Sequence, residues 1–247
     1  MNEELSGYGE YGYCLLKGLI PQSSLPELRK DILDAISDFK QNPEYPKIKA
    51  TEYRDYAPAL HLKKKSVINL LCSIGISDIV KTLIGGDADL RFTTTMTKTV
   101  DRAESFDWHQ DSAYDRDPEH LKLTCWFAIT DSLKADGCLR IIEKSHIHGL
   151  VKHVESKRHF PDKEIESVDE ADAIDVEMGK GDMLVINPFL FHSSWPNISE
   201  KTRVALLAGF MKPKKEYLDF EINASRQYLR NFEKRWQKVT NDGLDAP

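Results

Sequence analysis

Apolar positions change period near residue 89, and that change organises the chain. Before it they recur at helical spacing. Leu28, Ile32, Ala35, Ile36 and Phe39 share one face of a predicted helix over 25–39, entered by a cap at Ser23 or Ser24. A second helical region is predicted over 66–84 and stops at Gly85-Gly86. Ahead of both, residues 8–20 read as a turn and a short strand at 11–16, and a polar, Pro-containing loop spans 41–49. From residue 89 the pattern becomes β-branched and alternating, with strands predicted over 90–99, 121–129, 138–142, 172–177, 183–191 and 202–210. The turn Gly179-Lys180-Gly181-Asp182 separates two of them as a hairpin would. The charged stretch 154–170 reads as a surface insertion, and 224–239, carrying Tyr228, Phe232 and Trp236, as a closing amphipathic helix. Helices first, many short strands next and a helix last predict a β-sandwich or jelly roll with helices covering a sheet.

Composition narrows this picture. A length of 247 residues suits one domain: helical support over 1–88, a β core over 89–212 and a C-terminal helix in 213–247. Hydrophobic residues make up 40%, enough for a sizeable core. The net charge of −6 and pI near 5.8 argue against nucleic-acid or membrane-surface partners. No apolar run approaches the ~20 residues of a membrane span. Four scattered cysteines make neither a disulfide scaffold nor a Cys-based zinc site. The acidic start, Met1-Asn2-Glu3-Glu4, has no secretory or transit character, and Asp245-Ala246-Pro247 is no peroxisomal or ER address. A cytoplasmic protein is expected, in which the sequons at Asn197 and Asn223 are chance matches.

The eight histidines are the compositional hint of chemistry. On a strand, residues i and i+2 share a face, so His-x-Asp can supply two metal ligands and a distant histidine a third. A chain of this composition contains about one His-x-Asp by chance, so the motif is judged by its context. Here it is Phe106-Asp107-Trp108-His109-Gln110-Asp111. Then come Thr124-Cys125-Trp126-Phe127-Ala128-Ile129-Thr130-Asp131, Asp136-Gly137-Cys138-Leu139-Arg140-Ile141-Ile142-Glu143-Lys144-Ser145-His146, and a block from Gly181-Asp182 through Asn187-Pro188 to His192-Ser193-Ser194, Pro196-Asn197, Ser199 and Arg203.

These co-ordered blocks, over about residues 94–210, resemble the phytanoyl-CoA dioxygenase family, which includes the ectoine hydroxylases. The resemblance implies a double-stranded β-helix (jelly-roll, cupin-like) core, mainly β with flanking α-helices. It implies an enzyme using Fe(II), 2-oxoglutarate and O2. His109, Asp111 and His192 match the family's iron ligands. Arg203 has the spacing of its arginine for the far carboxylate of 2-oxoglutarate, where a rigid, always-charged fork is suited to the task. Ser194 and Trp126 match a hydroxyl and an aromatic around that cosubstrate, and Thr94, Lys98 and Phe106 fall at positions that approach it in some members. Tyr53, Arg54, Tyr56, His61, Tyr114 and Arg140 fall where substrate pockets are shaped. The chain departs from the family at Glu143-Lys144, where Pro-Gly usually precedes Ser-His, and at Thr99-Val100, where Pro-Gly is again common. Asp111 is retained, whereas halogenating relatives replace this carboxylate with a small residue.

Blander readings stand beside these. Arg203 could form a structural salt bridge, and Trp126 could be ordinary core. His146 and His148 read as loop residues, His153 and Glu155 as a solvated face, and Lys63-Lys64-Lys65 as a helix start. The expected reaction is hydroxylation of a small soluble molecule, with desaturation, epoxidation or cyclisation on the same scaffold as alternatives. The rivals are a non-catalytic jelly-roll binding protein and a zinc or manganese isomerase of cupin type, which would not need Arg203.

Overall fold

The computed structural model describes residues 2–42, 55–101, 104–114, 121–156 and 163–213. Its strands are β1 (Tyr13–Leu16), β2 (Asp89–Thr95), β3 (Phe106–His109), β4 (Leu121–Ala128), β5 (Leu139–Ile142), β6 (His153–Glu155), β7 (Lys163–Ile165), β8 (Ala173–Val176), β9 (Met183–Ile186), β10 (His192–Ser194) and β11 (Ala205–Met211). A larger antiparallel sheet has the order β1-β9-β4-β11-β2, and a smaller one the order β3-β10-β5-β8. β6 and β7 pair by themselves. The helices are α1 (Asn2–Tyr11), α2 (Leu25–Lys40), α3 (Leu60–Lys63), α4 (Lys65–Ser73) and α5 (Ile76–Ile84).

Strand alternation explains why the larger sheet is buried on both faces. Leu123, Cys125 and Phe127 of β4, Met183 and Val185 of β9, and Leu206, Ala208 and Phe210 of β11 join one core with Leu28, Ile32 and Ile36 of α2, Val67 and Leu71 of α4 and Ile79 of α5. Their neighbours Trp126, Ala128, Leu184, Ile186 and Ala205 face the other way, against Leu139, Ile141 and Val176 of the smaller sheet. Each large apolar side chain buried in these layers contributes about 1.5–3 kcal/mol. The predicted helices do cover a sheet, and the jelly roll holds its second core between two sheets.

Several local expectations are corrected. Residues 2–11 form α1 ahead of β1 instead of a turn. The helical region over 66–84 breaks at Gly75, whose φ of 65° ends α4 and starts α5. Ser24 stands at the N-cap of α2 but makes no side-chain cap bond, because it already belongs to a 3-10 turn over Gln22–Ser24. The strand predicted over 183–191 is cut short: only Met183–Ile186 forms a strand, β9, and the next strand, β10, begins at His192 in the other sheet. The alternation ends at Ile186, and a turn follows in which Leu190 N–H donates to Asn187 O and Phe189 N–H to the Asn187 side chain. Gly179–Asp182 is therefore no hairpin: it carries the chain from β8 in one sheet to β9 in the other. Within 154–170, β6 and β7 pair and Glu170 bonds Arg140, so this stretch is built into the fold. The helix predicted over 224–239 lies outside the described residues, as do Tyr53 and Arg54.

The departure at Glu143-Lys144 has a structural counterpart. Lys144 adopts φ 63°, a left-handed conformation that glycine would take freely. The N-terminal segment holds it there. Lys144 N–H donates to Tyr11 O at 2.9 Å, and its ammonium reaches Glu10 and the Tyr11 ring.

Gly137 ties the two sheets to each other. It has φ 80°, and a Cβ there would lie 2.7 Å from Trp195 O and 3.1 Å from Asn197 N, both backbone atoms. Its own carbonyl accepts from Arg203 at 2.6 Å. Gly137→Ala is expected to lower stability by about 2–4 kcal/mol, from the left-handed backbone and overpacking together. The check is a shift of the denaturant midpoint at unchanged m-value.

Candidate metal centre and anion pocket

β10 lies between β3 and β5, and its pairing register sets His192 directly opposite His109. The two imidazole centroids are 4.1 Å apart. Asp111 begins a 3-10 turn just past the end of β3, so strand alternation does not bring it to the site as the sequence suggested; the turn does. Its Oδ1 lies 3.5 Å from His192 Nε2. The three side chains each offer one ligand atom, and these atoms lie within 4.8 Å of one another.

Both histidines are oriented in the same way. His109 Nδ1 lies 2.7 Å from Asp107 O, and His192 Nδ1 lies 3.0 Å from Leu190 O. A carbonyl only accepts, so each Nδ1 carries a proton and each Nε2 is turned inward. His153 repeats the arrangement with Val151 O, but its Nε2 accepts the Gln110 N–H at 3.3 Å, so that nitrogen is already used. Its reading as a solvated face is corrected: it braces the segment between two ligands. Gln110, fully buried, does more of the same. Its amide donates to Gly149 O and Phe189 O and accepts from Val151 N–H, tying the Asp111 turn to the loop that delivers His192.

The electrostatics are those of a cation site. Burial, then the neighbouring His192, holds His109 well below its usual range, which keeps it neutral. Burial, the largest influence, would raise Asp111, but His192, His109 and the Thr124 hydroxyl together outweigh it and hold the carboxyl low and ionised. His192 answers in kind: burial would lower it, and Asp111 raises it instead. A neutral His109 and an ionised Asp111 are donor states a divalent metal needs, and the proton that Asp111 favours on His192 is released when a metal takes its place.

Next to the triad lies a second, cationic group. Arg203 stands just before β11, its guanidinium 5.3 Å from the Trp126 ring and bonded to Gly137 O and Met96 O. Its Nε is buried without a partner, a donor left over for a ligand. Lys98 is 1% exposed and donates to Ser194 Oγ at 2.8 Å and to Trp195 O, with its Nζ 5.3 Å from the Phe106 ring. Among the described residues no carboxylate lies within ion-pair distance of either cation, so the salt-bridge reading of Arg203 is excluded there. A buried guanidinium with a spare N–H, and a buried amine that an incoming anion would help to charge, fit a dianionic 2-oxo acid.

The triad, Phe106, Trp126, Ser194 and Arg203 line one narrow cavity of about 40 Å³, completed by Met96, Leu139, Ile186 and Leu207. Trp126 is thus a pocket wall as well as core. Thr94 is set back: its hydroxyl donates to Ala57 O, and it is its cross-strand partner Leu207 that lines the cavity. Tyr114 lies at the mouth, half-exposed, its ring edge-on to His109 at 5.9 Å. The remaining substrate candidates lie elsewhere. Tyr56 packs on Phe39, and His61 bonds Thr93 on the helix-covered side of β2. Arg140 is on the opposite face of β5, its guanidinium 4.1 Å from the Trp195 ring and 5.1 Å from that of Trp108, in a separate cavity of about 860 Å³. Strand alternation decides this, because Leu139 and Ile141 point inward.

A jelly roll with two histidines and one carboxylate at a single point, beside a buried cationic pocket, defines the class of non-haem iron, 2-oxoglutarate-dependent oxygenases. The sequence matches the phytanoyl-CoA dioxygenase (PhyH) family over residues 8–205, and the chain belongs to that family. The Caenorhabditis elegans protein named "Probable phytanoyl-CoA dioxygenase" is 26% identical over 227 residues, 83% of this chain and 73% of that one. The Arabidopsis thaliana phytanoyl-CoA dioxygenase is 32% identical over 100 residues, 39% of this chain and 35% of that one. Among solved structures, EvdO2 from Micromonospora carbonacea var. aurantiaca in complex with 2-oxoglutarate shares the fold, with a TM-score of 0.70 at 17% identity over 87% of this chain and 92% of its own. The epimerase SnoN with Fe3+ and alpha ketoglutarate matches with a TM-score of 0.67 at 17% identity over 93% of both chains.

Lys98 gives the pocket a pH signature. Burial, then the Arg203 charge, pushes its ammonium from 10.5 down to about 6. The unfolded chain therefore binds more protons than the folded one between these values. The resulting penalty is complete below about pH 6 and fades as pH rises toward 10.5. In protein free of metal and 2-oxo acid, Lys98→Met is expected to raise the denaturation midpoint most near pH 6 and progressively less toward pH 10. A gain that does not vary with pH contradicts the shift.

Proposed function

We propose that this chain hydroxylates an unactivated C–H bond of a small soluble metabolite or natural-product intermediate, converting 2-oxoglutarate and O2 to succinate and CO2 as it does so. The observation that carries this reading is the pairing of two sites in one cavity: a three-donor metal centre and, beside it, Arg203 with an unused buried Nε. His109, Asp111 and His192 hold the metal on one face, which leaves the opposite face for other ligands. Arg203 and Lys98 take the far carboxylate of 2-oxoglutarate, with Ser194 positioned by Lys98. Trp126, Phe106, Met96 and Leu207 keep water from this ion pair, where it is worth most. Bound Fe(II) supplies the coupling of O2 reduction to 2-oxoglutarate decarboxylation, with one oxygen atom going to succinate and the other to the substrate. The chain's own contribution is to fix the metal, orient the cosubstrate and admit one C–H bond. A non-catalytic binding protein has no need of both an intact triad and a dry arginine aimed at the same cavity.

The test is succinate formation from 2-oxoglutarate with Fe(II) and ascorbate across a panel of small metabolites, with product mass distinguishing hydroxylation (+16) from desaturation (−2). Arg203→Ala is expected to weaken 2-oxoglutarate binding by roughly 30-fold or more, the effect of removing one partner of a buried charge pair. Unchanged binding in that variant, with no succinate from any substrate, contradicts the reading.

A further inference from the structure

Asp111 has two carboxylate oxygens, and the fold treats them differently. Oδ1 faces His192 Nε2, where the three donor atoms converge. Oδ2 accepts the Thr124 hydroxyl at 2.7 Å. We propose that Thr124 is a positioning residue that holds Asp111 to a single coordinating oxygen; this rests on the metal reading of the triad.

The need for such a residue follows from where Asp111 stands. Its strand has ended, so the pleat does not aim its side chain, and Ser112 N–H bonded to Pro188 O fixes only the backbone of the turn. A free carboxylate can bind a cation through one oxygen or two. With two imidazoles in place, a two-oxygen carboxylate takes a fourth position on an octahedral ion. Only two are then left for a chelating 2-oxo acid and O2, which require three.

Thr124 is built to prevent this. It is 2% exposed in the middle of β4, and its backbone is paired on both sides, to Ile186 and to Gly209. A β-branched side chain on a strand is stiff at χ1, so the hydroxyl direction is set before any ligand arrives. Ionised Asp111 can only accept, so the single hydroxyl proton is committed to Oδ2, and a hydrogen bond to a charged oxygen is a strong one. Thr124 lies on the larger sheet and Asp111 beyond the edge of the smaller one. The bond therefore crosses the jelly roll and makes the metal geometry depend on how the two sheets are spaced. Thr124 faces inward because it is two residues from Trp126 on the same strand.

The experiment is calorimetric titration of Co(II) into metal-free wild-type, Thr124→Val and Thr124→Ser proteins, with thermal melts of each. Valine keeps the shape and removes the hydroxyl; serine keeps the hydroxyl. The expected result is Co(II) affinity roughly 10–100-fold weaker in Thr124→Val and close to wild type in Thr124→Ser. Equal affinity in wild type and Thr124→Val overturns the positioning role while leaving the metal centre intact. An affinity in Thr124→Ser as poor as in Thr124→Val overturns it as well, since a packing defect then explains the loss. Wild-type protein that binds no Co(II) overturns the metal reading and this proposal with it. Should Thr124→Val not fold, Thr124→Ala reads the same loss of the hydroxyl.

Discussion

The register between β10 and β3 is the constraint on which everything else rests. His192 faces His109 because two short antiparallel strands pair in one alignment, and a slip of one residue would turn Ser193 inward and His192 outward. Strands this short cannot hold such a register by their own ladder. It is held from outside, by β5 on the far side of β10 and by Gln110, whose amide ties the chain after β3 to the loop before β10. The metal centre is thus a property of how three chain segments are tied together, with the ligands at the ends of the ties.

The electrostatic design follows from dryness. One end of the cavity gathers a carboxylate held ionised, an imidazole held neutral and a second imidazole whose proton a metal would displace. The other end gathers Arg203 and Lys98, bonded to neutral oxygens and walled by Trp126 and Phe106. Each end alone is costly to fold, since a buried charge without a counter-charge loses its hydration. A metal ion at one end and a dianion at the other supply the missing charges, and the stability withheld from the empty protein becomes affinity for both.

Much of this was legible in the chain. The helix-to-strand change at residue 89 and most of the strands could be read because alternation is local, while the three ligands and Arg203 came from the resemblance of ordered motifs to a known family. What failed, failed where the partner was distant. The run 183–191 carries a turn dipeptide, Asn187-Pro188, but apolar residues on both sides of it hide the point where the chain leaves one sheet for another. Arg140 reads as lining the metal cavity until strand alternation, fixed by Leu139 and Ile141, turns it to the other face of β5, where it stands between Trp108 and Trp195 in the larger cavity. Lys144 in place of glycine reads as a defect until α1 is seen to hold it by Tyr11 and Glu10. Thr124 was the recoverable miss: two residues from Trp126, it had to share that residue's face.

The sequence by itself determined which donors were available and where helices give way to strands. These are properties of residue type and period. Its ordered motifs resembled a family whose members hold a metal and a 2-oxo acid with such a carboxylate and arginine. Only the tertiary structure decided that Asp111 reaches the centre from a turn, that its two oxygens meet different partners, and that Lys98 is buried against Ser194 beside the pocket that Arg203 lines. Those depend on the gap between two sheets, which is fixed by packing across the whole jelly roll and is written in no single stretch of the chain.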